Sequence, residues 1–166
     1  MERGAYRIVD ANFNRAREAA RVIEEFCRFV LNSTHLTERA KRFRHELSAC
    51  LGRLDTGRLI AGRDTLGDIG VGARVDVQLE RATLEDSFTA ACKRLTEALR
   101  VLTEVIRVHD YPLAQNIENL RYTAYTLEKD IVLFSRTSEK YRRVGLYIVI
   151  TSDLPGEVLS LTGKCA

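Results

Sequence analysis

Apolar residues recur at three- and four-residue steps through most of this chain, and the pattern predicts four long amphipathic helices. The first runs from Arg7 to about Leu31, with Asp10 or Asn12 as alternative N-caps and Asn32-Ser33-Thr34 as the stop. Phe13, Ala16, Ala20, Ile23, Phe26, Cys27 and Val30 form its apolar side. The second starts near Leu36, capped by Thr34 or Thr37, and repeats Ala40, Phe43, Leu47, Cys50, Leu51 and Leu54 until Asp55-Thr56-Gly57. A third begins near Leu84 or Asp86 and reaches about His109. The fourth opens on Asp110-Tyr111-Pro112, an acidic cap with a proline in the first turn, and continues to about Phe134.

Two of these helices are copies of one another. Asn12–Glu25 aligns without a gap on Ala91–Glu104, so that Arg15 meets Arg94, Glu18 meets Glu97, Arg21 meets Arg100 and Glu25 meets Glu104. Ala19 and Val22 recur as Ala98 and Val101. At 100° per residue the four charged positions fall within about 120°, a ladder of alternating sign opposite the apolar side. The repeat continues into the partner helices, where Phe43-Arg44-His45 corresponds to Leu120-Arg121-Tyr122. The two spacings differ by two residues, which a changed hairpin length would absorb. The expected fold is all-α, a four-helix bundle made from two duplicated hairpins with approximate internal twofold symmetry.

Two stretches depart from this pattern. Gly57–Arg81 carries glycines at 57, 62, 67, 70 and 72, and Val71–Leu79 is too broken by glycine and charge to read as a strand. A long irregular loop inside a compact domain favours function. Beyond Ser135-Arg136-Thr137-Ser138, the run Val144–Ile150 reads as a short buried strand ending at Thr151-Ser152-Asp153. The expected division is a helical bundle over 1–136 and a linker with a strand-like tail over 137–166.

Composition narrows the function classes. With 26 basic and 23 acidic residues, the net charge of +3 is too balanced for a dedicated nucleic-acid binder but suits anionic small ligands. Cys27, Cys50, Cys92 and Cys165 form no C-x-x-C pair, which argues against a structural metal or a disulfide framework. No secretory signal and no membrane-length apolar run is evident, so a cytoplasmic protein is expected.

The polar residues offer two candidate sites. An exposed Arg/Glu ladder is most simply a solvated face, but the recurrence of the same identities in register asks for more than polarity. If the two faces converge across the pseudo-twofold, Arg15, Arg21, Arg44, Arg94, Arg100 and Arg121 surround one cavity, with Glu18, Glu25, Glu97 and Glu104 holding them. Arginine suits phosphate because its planar fork binds two oxygens at once. In the loop Arg63-Asp64-Thr65-Leu66-Gly67-Asp68-Ile69-Gly70, glycine permits close approach of backbone to phosphate, and Asp64 and Asp68 are placed to hold Mg²⁺. Arg63 and Thr65 are set to contact phosphate oxygens. The simpler alternative is a turn whose aspartates cap backbone amides. Asn12 and Asn14 are helix-side amides beside Arg15, and His45 is the one histidine placed near a site. No Walker-type, dinucleotide-binding or protein-kinase motif is present, so nucleotide chemistry here needs another scaffold.

The segments 10–18, 43–45, 63–70, 93–100 (beginning Lys93-Arg94) and 120–122, taken in order, resemble a small helical domain often fused to thiamine-phosphate synthase. That family is a monofunctional hydroxymethylpyrimidine-phosphate kinase, unrelated to the ribokinase-like enzyme for the same step. The resemblance covers roughly residues 5–135, and Gly145–Asp153 looks like the first strand of the synthase's (β/α)₈ barrel. The resemblance implies transfer of the γ-phosphoryl group of ATP, with Mg²⁺, onto a pyrimidine monophosphate. It further implies a fused or associated synthase domain as partner, leaves a homodimer open, and calls for no nucleic acid and no membrane. On it, Arg63, Asp64, Asp68, Arg15 and Arg94 are catalytic. Asn12, Asn14, Glu18, Arg21, Arg44, His45, Thr65, Lys93, Glu97, Arg100 and Arg121 bind substrate, with Asp64 and Asp68 on the metal. The alternative is a non-catalytic helical module that dimerises, or binds a ligand to regulate a synthase. The second copy departs from the first at Ala91 for Asn12 and Thr103 for Glu24, so the halves cannot contribute identical groups.

Overall fold

A computed structural model describes residues 1–70, 81–142 and 144–145. Five α-helices account for most of them: α1 (Arg3–Glu25), α2 (Thr34–Leu51), α3 (Thr56–Ala61), α4 (Leu84–Arg107) and α5 (Tyr111–Arg142). Among the described residues there is no strand, in keeping with the all-α expectation. The chain divides into two units, Met1–Phe134 and Ser135–Ala166. Val71–Leu79, the strand expected over 144–150 apart from its first two residues, and Cys165 lie outside the described residues.

The helix starts follow capping chemistry. Ser33, rather than Thr34 or Thr37, caps α2: its Oγ accepts from the Leu36 N–H at 3.4 Å, and Thr34 is already helical. Thr83 and Asp86 form a reciprocal capping box at α4, with N–H to side-chain distances of 3.0 Å in both directions. Asp110 caps α5 through the Leu113 N–H at 2.9 Å. Helix α1 begins at Arg3, ahead of the expected start, so Asp10 and Asn12 are interior residues and cap nothing. The short helix α3 was not foreseen; Asp55 caps it and its Leu59 is buried against the core.

At its far end α1 widens into a π-helical turn, Phe26–Val30, closed by a Leu31 N–H to Phe26 carbonyl bond of 3.1 Å. Asn32, at φ 49°, then stops it in the left-handed region that asparagine tolerates. The connections 31–33 and 108–110 are equally long. From Arg15 to the last helical residue Val30 is fifteen steps, against thirteen from Arg94 to Arg107. The two-residue difference between the halves therefore lies in the helix end and its wide turn, and the hairpin connection has not changed.

Helices α1 and α4 pack most extensively on each other. They run antiparallel, because Phe26 at the end of α1 stacks on Phe88 near the start of α4 with ring centroids 4.6 Å apart. Buried Ala16, Ala19, Ala20, Ala91 and Ala98 keep the two backbones close. Around them Leu47, Leu95, Leu99, Leu102, Ile106, Leu113, Ile117 and Ile131 are fully buried, each contributing about 1.5–3 kcal/mol. Arg39–Asp130 at 2.7 Å ties α2 to α5, and Arg107–Glu118 at 3.1 Å ties α4 to α5. No helix among the described residues is long and apolar enough to cross a membrane.

Candidate functional site

The N-terminal half of α1 and the segment after α3 enclose an open cleft of about 630 Å³. Arg7, Ala11 and Arg15 supply one wall at four-residue steps, with Ile8 and Asn12 beside them. Gly62 brings the chain back: a Cβ there would lie 3.5 Å from the Tyr6 Cβ and 3.3 Å from the Arg58 carbonyl oxygen. Arg63 then turns onto α1 and donates through Nε and Nη2 to the two carboxylate oxygens of buried Asp10, at 2.7 and 2.8 Å. That hydrogen bond raises the guanidinium's already high pKa. Asn14 steadies the same carboxylate, donating to the Asp10 carbonyl at 2.9 Å and to Oδ1 at 3.3 Å.

The loop that follows is ordered by its own aspartates. Asp64 Oδ1 accepts the Gly67 N–H at 2.9 Å, Asp68 Oδ1 accepts the Gly70 N–H at 2.9 Å, and Arg7 donates to the Asp64 carbonyl at 3.4 Å. Asp64 also faces Arg3 at 3.9 Å, both side chains partly exposed. Asp64, Thr65 and Asp68 all line the cleft, leaving one oxygen on each carboxylate outside the turn bonds. Among the described residues no group of three or more His, Cys, Asp or Glu side chains is placed to hold a metal. A cation here would be held by two carboxylates, which fits Mg²⁺ completed by water and phosphate oxygens.

The structure thus gathers Asn12, Arg15, Arg63, Asp64, Thr65 and Asp68 in one place. It adds two groups that sequence reasoning missed: Arg7, at the expected helix start, and Asp10, read as a cap. The signal for Asp10 was available, as an acidic residue next to buried Val9 that needs a cation brought by another segment.

The ladder residues do not converge on a shared cavity. Arg15, Glu18, Arg21, Arg94, Glu97 and Arg100 are all exposed. Arg21 pairs with Glu25 at 2.5 Å and Arg100 with Glu104 at 2.7 Å, both along their own helix. Lys93 lines a separate cleft of about 490 Å³ at the start of α4, and His45 is exposed on α2. Arg44 is structural in its contacts: its Nε donates at 2.6 Å to buried Glu24. At the matching place in the second half, Thr103 is fully buried and donates to the Leu99 carbonyl at 2.8 Å. Arg121 consequently keeps a buried Nε with no acceptor, while its other nitrogens reach Glu118 and Tyr125 at 3.5 Å and its guanidinium lies over Tyr122.

Residues 7–130 match the model of the ThiD2 family. The chain is 38% identical over 155 residues to a thiamine-phosphate synthase of Rhodopirellula baltica, covering 91% of this chain and 41% of that protein. It is 39% identical over 149 residues to a thiamine-phosphate synthase of Nostoc punctiforme, with 90% and 41% covered. A third, from Thermosynechococcus vestitus, is 40% identical over 127 residues, with 76% and 35% covered. The chain spans about two fifths of the length of the first two. No solved structure matches it significantly. The match covers α1 through most of α5, including both walls of the cleft, and the chain belongs to the ThiD2 family.

Proposed function

We propose that the cleft binds 4-amino-5-hydroxymethyl-2-methylpyrimidine phosphate and ATP, and that a substrate phosphate oxygen displaces ADP from the γ-phosphorus, giving the diphosphate and ADP. The observation that carries this reading is the meeting in one cleft of Arg7 and Arg15 with the carboxylates of Asp64 and Asp68, each of which keeps one oxygen outside its turn bond, beside an arginine held by Asp10. A phosphate acceptor is already an anion and needs no strong base; it needs its charge neutralised and its oxygen held in line with the donor. Arg15, which makes no ion pair within the described residues, and Arg7, which donates to the Asp64 carbonyl, supply that charge. Asn12 donates its amide to the Ile8 carbonyl at 2.9 Å, leaving its oxygen to accept from the amino group of the pyrimidine. Ile8 and Ala11 give the ring an apolar floor, and the Thr65 hydroxyl contacts a phosphate oxygen. Asp64 and Asp68 would hold Mg²⁺, which would supply positive charge to offset the negative charge of the phosphates. Arg63 acts as a positioning residue, fixed to Asp10 so that the carboxylates after it meet the helix in one geometry.

The relatives carry this region within longer thiamine-phosphate synthases, which supports a place for the reaction in thiamine biosynthesis beside a synthase domain. The test is a coupled assay of the purified chain with ATP, Mg²⁺ and the pyrimidine monophosphate, the diphosphate detected by mass. Product that Asp68→Asn abolishes in a folded protein is the expected result. Binding of the monophosphate without product would sink the kinase and leave a ligand-binding regulatory module.

A further inference from the structure

The two halves have diverged in an unexpected place. Most buried positions differ, Ala19 and Ala98 excepted: Val9 against Phe88, Ala16 against Leu95, Ala20 against Leu99, Ile23 against Leu102. Exposed Ile8, Arg17 and Phe29 also change, to Ser87, Thr96 and Val108, but Ala11, Arg15, Glu18, Arg21, Val22 and Arg28 recur as Ala90, Arg94, Glu97, Arg100, Val101 and Arg107. A solvated surface asks only for polarity and tolerates almost any exchange, whereas a core constrains volume. Identity retained at these outward positions, while most of the inside repacks and other exposed residues drift, points to something that touches both helices alike from without.

The geometry says where. On α1, Phe26 meets α4 and Glu24 meets α2, so these two residues bracket the outward surface. At 100° per residue, Ala11, Arg15, Glu18 and Val22 occupy the half of it next to α4. The repeat puts Ala90, Arg94, Glu97 and Val101 on the matching half of α4. Since the helices are antiparallel and adjacent, the two stripes edge one face, with Arg15, Glu18, Arg94 and Glu97 at its centre and Val22 and Val101 towards its ends. The outer charges are satisfied within their own helices, Arg21 by Glu25 and Arg100 by Glu104, but none of the central four makes an ion pair among the described residues. Val22 and Val101 are 38% and 37% exposed, the same degree on both helices.

We infer that this face seats a second copy of the same chain, ladder against ladder. Two arginines and two glutamates arranged about a twofold form a neutral, self-complementary quartet: turning one copy over the other brings arginine to glutamate at each corner, with the valines meeting beside them. Two helices about 9 Å apart, each presenting about 20 residues, offer a face of about 30 by 20 Å, roughly 600 Å² in projection and about three quarters of the ~800 Å² a standard interface covers on each partner. Arg15 stands where the face opens into the cleft, and five donors on its guanidinium allow it to serve both. The inference does not depend on the proposed reaction.

Sedimentation equilibrium of the full chain decides it. The expected mass is twice the 18.8 kDa of one chain at micromolar concentration. Two double variants test the face: Glu18→Arg with Glu97→Arg, which makes the quartet all cationic, and Val22→Asp with Val101→Asp. Each should weaken association at least about a hundredfold, since like charges brought together cost several kcal/mol. Helical circular dichroism should be unchanged, because every substituted side chain is exposed on the single chain, while the melting temperature should lose its dependence on protein concentration. A single-chain mass up to about 100 μM, or a dimer that both variants leave intact, would overturn the proposal.

Discussion

Asp10 and Arg63, fifty-three residues apart in the chain, meet through two parallel hydrogen bonds of 2.7 and 2.8 Å. The pair ties the loop after α3 to the first helix. Asp10→Asn removes one acceptor charge and half of the fork. Turnover in the phosphoryl-transfer assay should fall about tenfold to a hundredfold, the cost of a misplaced group. Amide exchange of 64–70 should quicken while the rest of the bundle exchanges as before. Unchanged exchange in the loop would show that the pair does not position it.

Gly67→Ala tests the next link. A Cβ there would sit 2.7 Å from Asp64 Oδ2, so the carboxylate must leave its turn. The expected result is loss of Mg²⁺-dependent turnover with a melting temperature within a few degrees of the parent, because Gly67 is exposed and far from the core. Normal turnover would remove Asp64 from the metal site.

The halves also differ in a way that stability can read. Glu24→Thr, which copies the second half onto the first, leaves Arg44 without its 2.6 Å partner and should cost about 3 kcal/mol in urea unfolding. The reverse exchange, Thr103→Glu, offers Arg121 the acceptor its Nε lacks. A double-mutant cycle of Thr103→Glu with Arg121→Leu should show a favourable coupling of about 1–3 kcal/mol. Zero coupling would mean that the two halves do not superpose at this point.

Burial pushes the Cys27 thiol up to about 11 from an ordinary 9.0, and raises Cys92 as well. The folded state therefore holds these protons longer than the unfolded chain. Their contribution is fully present below pH 9 and is lost as pH rises through about 11. Melting temperature should decline across that window, and the decline should be shallower in Cys27→Ala. Equal slopes would show that Cys27 does not carry the effect.

How far the sequence disclosed this protein depends on the range of the interactions involved. The four long helices were legible because periodicity and caps are local: Asp110 and the glycine-bounded loop act within a few residues, although the cap at Thr83 went unread. The duplicated ladder was legible for the same reason, but its role was not, since which side of a helix meets a neighbour depends on packing. Periodicity could not reveal the Asp10–Arg63 pair, which spans two elements, and a charged residue near the expected start of a helix looks like a cap until the helix proves longer. Six candidate site residues reached one cleft because they lay on only two segments, α1 and its loop. Those drawn from the other helices did not join them.

The wide turn at Phe26–Val30 has a practical use. It absorbs extra length at the end of α1 remote from the cleft, ahead of a connection no longer than that of the other half. The two-residue difference between the halves sits there, outside the frame of the ladder and the two walls of the cleft. The exposed Thr34 just beyond it, the first residue of α2, is therefore a natural attachment point for a fluorophore, from which assembly can be followed by energy transfer with the cleft left open to ligand.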